Sequence, residues 1–477
     1  MSNAAQNLAG SRITQLLDEN SFVEIGAKVT ARSTDFNMPN AEAPSDGVIT
    51  GYGLIDGNLV YVFAQDPAVL GGTVGEMHAK KIAAVYDLAL KMGAPVIGLL
   101  DSAGLRLQES TDALDAFGQI YLKQSLASGV IPQIAAVFGS CGGGLSVLAG
   151  LADFTFMEKD KAKLFVNTPN AIEGNRAEVC DTAAASFRAE NGTVDFTGTE
   201  EEIFAGIRSL VDLLPSNNED DVPYEDCEDD LNRACEGIEG FTADPAGSLA
   251  LISDNGVFVE TKAEYAKDTV TGFIKLNGLT VGAVANRSAV YGEDGSVKED
   301  FNGLMSAHGA EKAASFVNFC DAFGIPVLTL TNVRGFKASK CTEKRGAKAA
   351  AALTAAFAGA TVPKVNVITG EAFGSAYVLM NSKALGADLT FAWDGARIGM
   401  MDAGLAAQIM YPEAGGDELA EQTKKYDELQ ESVLAAAKRG YVDTVINAAD
   451  TRKYVIGAFE MLYSKRETRP SKKHGTV

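Results

Sequence analysis

The chain is poor in the residues that most often carry side-chain catalysis. It has three histidines, six cysteines and one tryptophan among 477 residues. No two cysteines have CxxC spacing, so the sequence predicts no metal site. The patterns GxGxxG, GxxxxGKS/T and Gly-x-Ser-x-Gly are absent, which disfavours a nucleotide-binding fold and a Ser-His-Asp hydrolase. His78 lies in a helical pattern and is interpreted as a surface or packing residue, while His308 follows a loop and His474 lies in the tail.

Long hydrophobic runs and positive charge are also scarce. No uninterrupted apolar stretch reaches the ~18 residues of a membrane span, and the N-terminus lacks the apolar core of a secretory signal. The chain has 41 Lys and Arg against 63 Asp and Glu, a net charge of −22. This balance argues against binding to nucleic acid or anionic lipid, but it leaves room for a local basic patch. Together these absences predict a cytoplasmic protein with reduced thiols.

What the chain does contain is an internal repeat. The segments Lys91–Leu100 and Ala322–Leu330 share a Gly-x-Pro break before an apolar run, and the two breaks lie 231 residues apart. The same offset carries Ile131-Pro132 onto Val362-Pro363 and Gly143 onto Gly374. A repeat of this length predicts two copies of one structural unit.

Each copy predicts the same order of elements. A short acidic helix and a strand hairpin come first, with Asp56-Gly57 or Asn277-Gly278 in the turn. An amphipathic helix, a buried strand, a second helix, a second buried strand and a glycine-rich turn follow. The expected helices are Met77–Met92 and Glu311–Phe323, and the expected strands are Val96–Leu100, Ile134–Phe138, Val327–Leu330 and Val365–Ile368. The fold class is therefore α/β, with ββα units repeated along a superhelix. The acid-rich segment 213–247 predicts a linker, which places the domains at 1–225 and 226–477.

The glycine-rich turns are the candidate sites. Gly139–Gly144 follows a buried strand and opens a helix, and Asp101–Gly104 ends the neighbouring strand. Unpaired N–H groups at a helix start, reached through glycine, form the geometry of an oxyanion hole. The second half repeats both loops at Gly374–Ala376 and Asn332–Gly335. A single glycine turn is more often close packing, but its recurrence at one offset predicts two sites for carbonyl-type ligands.

The sequence resembles the carboxyltransferase subunits of biotin-dependent acyl-CoA carboxylases and decarboxylases, within the crotonase superfamily. The resemblance covers nearly the whole chain and rests on Asp101–Glu109, Gly139–Gly144, Leu214–Asn218, Val270–Phe273, Val284–Arg287, Thr361–Val365, Gly374–Tyr377, Gly386–Asp388 and Lys472–Gly475. It implies tandem crotonase-like domains, an acyl-CoA substrate, biotin on a separate carrier protein, and no metal. It also implies a homo-hexamer in which the N-half of one subunit faces the C-half of another.

The resemblance further implies roles for individual residues. In the N-half, which takes the acyl-CoA, the thioester oxygen is held as an enolate by N–H groups of Gly143, Gly144, Ala103 and Gly104. In the C-half, which takes biotin, the ureido oxygen is held by those of Ser375, Ala376, Gly335 and Phe336. Arg106 and Val378 are counted as substrate-binding residues, and the small Val378 suggests a short acyl chain. Released biotin acts as the base in such enzymes, which accounts for the missing side-chain base.

Two departures from the family pattern concern the C-half. Ser375 stands where the family has glycine, a change that leaves the N–H in place. Arg334 stands where the family has proline, and Lys337, Lys340, Lys344 and Arg345 follow it. That basic loop is either a solvated surface or a contact for CoA phosphate or an acidic carrier. Lys91 superficially resembles a biotinylation site but is interpreted as a helix surface lysine.

Three functions remain open at this point. The first is a carboxyltransferase that works with a biotin carboxylase subunit. The second is the decarboxylating direction within a sodium-pumping complex that has membrane subunits, which would associate this cytoplasmic protein with a membrane. The third is a catalytically idle scaffold. Sequence does not separate the two directions, because both use one transition state.

Overall fold

The computed structural model describes residues 7–32, 43–292 and 294–470. The chain forms two compact units, Met1–Asp221 (unit 1) and Val222–Val477 (unit 2). The division falls inside segment 213–247, just before the expected boundary at 225. The later part of that segment is not the surface linker that its composition predicts, because Cys235 and Ile238 are buried in the unit-2 core. The tail motif Lys472–Gly475, with His474, lies outside the described residues.

Unit 1 is built on an eight-stranded sheet. Its strands are β1 (Val23–Ile25), β2 (Val48–Ile55), β3 (Asn58–Gln65), β4 (Val96–Ser102), β5 (Gln133–Gly142), β6 (Phe154–Glu158), β7 (Lys163–Phe165) and β8 (Phe196–Gly198). Its helices are α1 (Leu8–Leu16), α2 (Glu76–Met92), α3 (Ser110–Ala127), α4 (Leu145–Leu151), α5 (Ala185–Glu190) and α6 (Glu200–Leu213). The strand order is β1-β2-β3-β4-β5-β6-β8, with β7 also paired to β5. Strands β1 to β3 are antiparallel and the later pairs are parallel, as the ββα pattern predicts.

Unit 2 has the same topology. Its strands are β9 (Phe258–Thr261), β10 (Thr269–Leu276), β11 (Leu279–Asn286), β12 (Ala289–Tyr291), β13 (Val297–Asp300), β14 (Leu304–Met305), β15 (Val327–Val333), β16 (Gly335–Phe336), β17 (Lys364–Phe373), β18 (Leu389–Trp393), β19 (Arg397–Gly399) and β20 (Thr444–Ile446). Its helices are α7 (Pro245–Ile252), α8 (Ala307–Ala322), α9 (Lys340–Gly359), α10 (Gly374–Leu379), α11 (Ala403–Met410), α12 (Gly416–Tyr426), α13 (Val433–Lys438) and α14 (Thr451–Leu462). The main sheet runs β20-β18-β17-β15-β11-β10-β9, with β19 on β17, which mirrors unit 1 strand for strand.

The repeat is visible in the element bounds themselves. Strands β4 and β15 are related by the 231-residue offset at both ends, and so are β5 and β17. These strands are longer than the sequence predicts. The prediction ended each strand with its apolar residues, but the residues that follow still pair with the neighbouring parallel strand. Helix α8 begins at Ala307, before the expected Glu311. Each position in β4 and β5 therefore has an equivalent in unit 2, 231 residues later.

Each hairpin turn is held by an aspartate. The carboxylate of Asp18 accepts the N–H groups of Asp56 and Gly57, both at 3.0 Å. In unit 2, Asp254 accepts those of Asn277 at 3.2 Å and Gly278 at 2.7 Å. The expectation of a short acidic helix here is wrong, since α1 and α7 contain no acid and each aspartate follows its helix. The acid is placed there because it satisfies the turn's N–H donors.

His78 is a packing residue in the unit-1 core rather than a surface residue. Its side chain is fully buried, and its Nδ1 lies 2.9 Å from the carbonyl oxygen of Asp46. Its Nε2 lies 3.3 Å from the Gln65 amide nitrogen. A carbonyl on one side and an amide donor on the other match neutral imidazole. Burial lowers the pKa of His78 to about 3, so it stays uncharged at neutral pH.

Acid should therefore destabilise the chain through His78. The folded state keeps this imidazole neutral, whereas the unfolded state takes up a proton near pH 6.5, so stability falls as pH drops from 6.5 toward 3. Between pH 7 and pH 5 this amounts to about 2 kcal/mol. We expect His78→Gln to be less stable than wild type at pH 7 but to lose about 2 kcal/mol less over that interval. Urea unfolding at both pH values measures this, and equal losses in the two proteins would contradict it.

Candidate active site

The carboxyl ends of β4 and β5 meet at a bulge. Leu100 pairs with Val137 and Ser102 pairs with Cys141, so β5 carries two extra residues at this point. In unit 2, Thr331 pairs with Ile368 and Val333 with Ala372, which is the same bulge at the same offset. Bulges bend a strand and redirect the residues that follow it. Both units therefore turn the chain out of the sheet at equivalent positions, immediately before the glycine-rich turns.

Close packing at the bulge requires glycine. A Cβ on Gly139 would lie 2.0 Å from Oδ1 of Asp101, and one on Gly370 would lie 2.6 Å from Oδ1 of Asn332. Arg12 forms an ion pair with Asp101 at 2.9 Å, and Asn332 Oδ1 accepts the N–H of Glu371 at 3.0 Å. The unit-2 contact joins the ends of β15 and β17, whereas the unit-1 ion pair joins the end of β4 to α1.

The unit-1 turn was predicted to offer two donors, the N–H groups of Gly143 and Gly144, and of these only that of Gly144 lacks an acceptor among the described residues. Gly143 has φ +58°, a left-handed conformation that favours glycine. Its N–H, however, donates to the carbonyl of Phe165 at 2.9 Å, so Gly143 sets the shape of the turn and is not a free donor. Among the described residues we find no acceptor for the N–H of Gly144 or of Leu145. Gly144 is exposed and begins α4, where N–H groups have no intrahelical partner.

At the end of β4, the candidate donor lies one residue further along the chain than the sequence predicts. The N–H of Ala103 donates to Gly71 at 2.9 Å, and that of Gly104 to the hydroxyl of Ser102 at 3.2 Å. Val74 pairs with the next residue, Leu105, in a parallel bridge. In a parallel ladder the N–H of the bridged residue points away from its partner, and no acceptor for the N–H of Leu105 is found among the described residues. Leu105 is thus a candidate donor that sequence reasoning missed.

Unit 2 has backbone N–H groups at the equivalent positions. Gly374 has φ +62° and takes the place of Gly143. Ser375 and Ala376 follow in the first turn of α10, and no acceptor for their N–H groups is found in the described parts of the chain. Phe336, which pairs with Met305 in a parallel bridge, is the counterpart of Leu105. The 231-residue offset from Phe336 could have identified Leu105 from sequence.

Partly exposed apolar side chains border both turns. Val378 follows the unit-2 turn and Val147 the unit-1 turn, and each is 42% exposed. Phe336 is 37% and Leu105 39% exposed. Each pair of turns is therefore flanked by a similar apolar surface, which suits a ligand with a neutral carbonyl group.

Arg106 is not placed where a ligand can reach it. Its side chain is 1% exposed, and its guanidinium contacts Asp46, Glu109 at 2.8 Å and the carbonyl of Thr73 at 2.7 Å. The prediction that it binds substrate is corrected accordingly, because its side-chain donors face buried partners. The same carboxylates anchor α2, since Glu109 accepts the N–H of Glu76 at 2.6 Å.

Charge distinguishes the two sites. Arg334 forms an ion pair with Glu371 at 2.9 Å, and Glu371 also lies 3.6 Å from Arg397. The equivalent unit-1 positions are Ala103 and Ser140, which carry no charge. The unit-2 site is therefore bordered by an ion-pair network that the repeat itself does not require.

The described residues of the turns offer little side-chain acid-base chemistry. Cys141 lies beneath the unit-1 turn, and burial raises the pKa of its thiol to about 12, so it is not a thiolate at neutral pH. His308 lies elsewhere in unit 2, with its Nε2 3.8 Å from Cys341 Sγ and 3.4 Å from Arg345. The described residues contain no cluster suited to a metal ion and no helix long and apolar enough to cross a bilayer. Backbone N–H groups are thus the functional groups that the turns present.

Comparisons with known proteins identify the family of the chain. The carboxyl transferase domain family matches residues 2–477. The chain is 40% identical to the propionyl-CoA carboxylase beta chain of Roseobacter denitrificans, over 98% of this chain and 93% of that protein. It is 38% identical to methylmalonyl-CoA decarboxylase subunit alpha of Propionigenium modestum, over 98% and 92%.

A solved structure gives the same result for the fold. The crystal structure of transcarboxylase 12S, described as a hexamer assembly with hydrolysed methylmalonyl-coenzyme A bound, superposes with a TM-score of 0.91 at 35% identity. It covers 99% of this chain and 93% of that one. The expected tandem crotonase-like fold is confirmed. On the family match and the duplicated fold, the chain belongs to the carboxyl transferase domain family.

Proposed function

We propose that this protein is a carboxyltransferase that moves a carboxyl group between biotin on a carrier protein and a short acyl-CoA. The observation that carries the proposal is the duplicated pair of turns, whose N–H groups lack an acceptor in the described part of the chain. Two such sites suit a reaction in which two different carbonyl ligands become electron-rich. The relatives support it, since their names include propionyl-CoA carboxylase and methylmalonyl-CoA decarboxylase.

In unit 1 the N–H groups of Gly144 and Leu105 hold the thioester oxygen of the acyl-CoA. Removal of the α-proton places negative charge on that oxygen as the enolate forms. Fixed N–H donors stabilise this charge more than the neutral thioester, so they lower the barrier. Gly143 keeps the donors in place through its left-handed backbone, and the new C–C bond then forms at the α-carbon.

Unit 2 is assigned to biotin on the basis of the family resemblance. The neutral N–H donors of Ser375 and Ala376, bordered by Phe336 and Val378, fit a urea carbonyl. Biotin, when bound, supplies the carboxyl group and accepts the α-proton of the acyl group. The donors hold the ureido oxygen as negative charge develops there, while the apolar border limits access of water. In the hexamer that the resemblance implies, the N-half of one subunit faces the C-half of another, and there the small Val378 suits a short acyl group.

The same geometry serves either direction of the reaction. The carboxylating direction would pair this chain with a biotin carboxylase subunit, and the decarboxylating direction with membrane decarboxylase subunits. Oligomer formation is part of the proposal, a hexamer as in the 12S relative. Exposed apolar side chains favour an assembly: Leu114, Leu122 and Leu126 on α3, and Leu405 and Ile409 on α11, are 50–61% exposed.

The test is carboxyl exchange between free biotin and a labelled acyl-CoA. We expect the purified protein to transfer label from malonyl-CoA or methylmalonyl-CoA to biotin, with longer acyl groups reacting more slowly. Absence of exchange with every acyl-CoA of the panel, from a protein that is folded and oligomeric, would favour the idle-scaffold alternative and overturn the proposal. A preference for one acyl-CoA identifies the substrate.

A further inference from the structure

Three exposed lysines follow the unit-2 donor Phe336, and we call them the basic face. They are Lys337, Lys340 and Lys344, all exposed and without an acidic partner among the described residues. The surrounding stretch 334–348 contains six basic residues and one acidic residue. In a chain with a net charge of −22, this is a local reversal of sign. A positive surface of this kind selects an anionic partner.

The fold does not require positive charge at this place. The equivalent unit-1 stretch, 103–117, has one basic and three acidic residues, yet it forms the same strand end and helix start. Lys340 corresponds there to Glu109 and Lys344 to Ala113, while Lys337 corresponds to Arg106, whose side chain is buried and presents no surface charge. The basic face is therefore a property of unit 2 and not of the repeat.

Stability does not explain the lysines either. Lys340 and Lys344 lie in the first turns of α9, a 20-residue helix that begins after the N-cap Ser339. The amino end of a helix carries partial positive charge, so a lysine there opposes the helix dipole and does not stabilise the helix. The helix dipole and the lysines reinforce each other, which strengthens attraction for an anion at this end of α9.

We propose that the basic face is the docking surface for an acidic protein domain, the biotin carrier, which it steers to the unit-2 site. The proposal rests on the proposed function and adds where the carrier binds. Lys340 and Lys344 are one helical turn apart, about 6 Å along the axis, and Lys337 precedes the helix. Such separate, flexible charges suit a broad acidic surface better than one phosphate, which is usually held by a converging Arg or backbone cradle. Because the rest of the chain is negative, an acidic carrier is repelled elsewhere and attracted here.

The experiment compares carrier-bound with free biotin in the double variant Lys340→Glu, Lys344→Glu. The probe is the biotinylated carrier domain of a propionyl-CoA carboxylase. At low salt we expect the KM for this domain to rise at least ~10-fold, since like charges oppose docking. Exchange with free biotin and the KM for acyl-CoA should stay within ~2-fold of wild type, because free biotin has no acidic domain to repel. Raising the salt from about 20 to 300 mM should raise the KM for the domain in wild type but not in the variant.

The matched control is Lys159→Glu, Lys161→Glu in unit 1, which changes two exposed lysines and the net charge by the same amount. It should leave the KM for the carrier domain within ~2-fold of wild type, so that a general charge effect is separated from local docking.

A rise in the KM for acyl-CoA with the carrier unaffected would assign the basic face to CoA phosphates and overturn the proposal. Unchanged KM values, or a wild type that uses the carrier no better than free biotin, would also overturn it. Loss of all exchange in wild type would instead count against the proposed function.

Discussion

Replacing Ser375 with proline should abolish biotin-dependent carboxyl exchange while leaving the fold intact. Ser375 is the second residue of α10, where its N–H has no intrahelical acceptor and its side chain is exposed. Proline is tolerated in the first turn of a helix, because its fixed φ fits and the N–H it lacks is not used by the helix. The substitution removes one candidate oxyanion donor, and it also restricts the backbone of Gly374, which precedes it and has φ +62°. Loss of a single donor of this type typically lowers kcat by about 100- to 1000-fold.

Ser375→Gly provides the control for this prediction. It removes the hydroxyl but keeps the N–H, and it restores the residue that the family usually has, so exchange should stay within ~3-fold of wild type. Thermal unfolding of both variants checks that neither has lost its fold. Full exchange activity in Ser375→Pro, with glycine equally active, would show that this N–H does not contact the reacting ligand.

The unit-1 turn cannot be tested in the same way. Gly143 has φ +58°, which proline does not adopt, so Gly143→Pro would distort the turn rather than remove one donor. A Cβ on Gly144 would lie 2.7 Å from the Phe117 ring and 2.9 Å from the Tyr121 hydroxyl. Any side chain at Gly144 therefore changes packing as well as chemistry. Unit 2 tolerates a side chain at the equivalent position, which makes Ser375 the clearer test.

The sequence was sufficient for the architecture because the repeat is regular. One offset of 231 residues relates β4 to β15 and β5 to β17 at both ends, and it also relates Gly143 to Gly374. Apolar runs, helical spacing and Asp-Gly or Asn-Gly turns are local signals, and each of them survives in both copies. Such signals predict elements and their order well, since every local preference agrees with the fold.

The donors themselves were harder to predict. Whether an N–H is free depends on which carbonyl lies beside it, and that is decided by strand register rather than by residue type. Beyond the bulge, pairing of β5 with β7 places the N–H of Gly143 against Phe165, while the N–H of Gly144 has no acceptor among the described residues. No composition signal reveals that register. For the same reason the sequence favoured Ala103 and Gly104 over Leu105. In unit 2 the expected donors Ser375, Ala376, Gly335 and Phe336 stay predictions.

The burial of Arg106 was also invisible in the sequence, because two of its partners, Asp46 and Thr73, are distant along the chain. Asp46 lies 60 residues away, and the side chains of Arg106, Asp46 and Glu109 are at most 1% exposed. Burial raises the pKa of Asp46, an effect that the neighbouring Arg106 partly offsets. The motif that contains Arg106 looked like a ligand loop, yet its arginine neutralises two carboxylates inside unit 1.

Replacing Arg106 with methionine should therefore destabilise unit 1 strongly. The variant leaves Asp46 and Glu109 buried without their cation, and breaking a buried pair in this way costs about 3–5 kcal/mol. Arg345→Met removes an exposed arginine that pairs with Glu311, so it should cost less than about 1 kcal/mol. Urea unfolding of both variants gives the comparison. If Arg106→Met instead unfolds like wild type and raises the KM for acyl-CoA, then Arg106 contacts the substrate and its role in the unit-1 core is secondary.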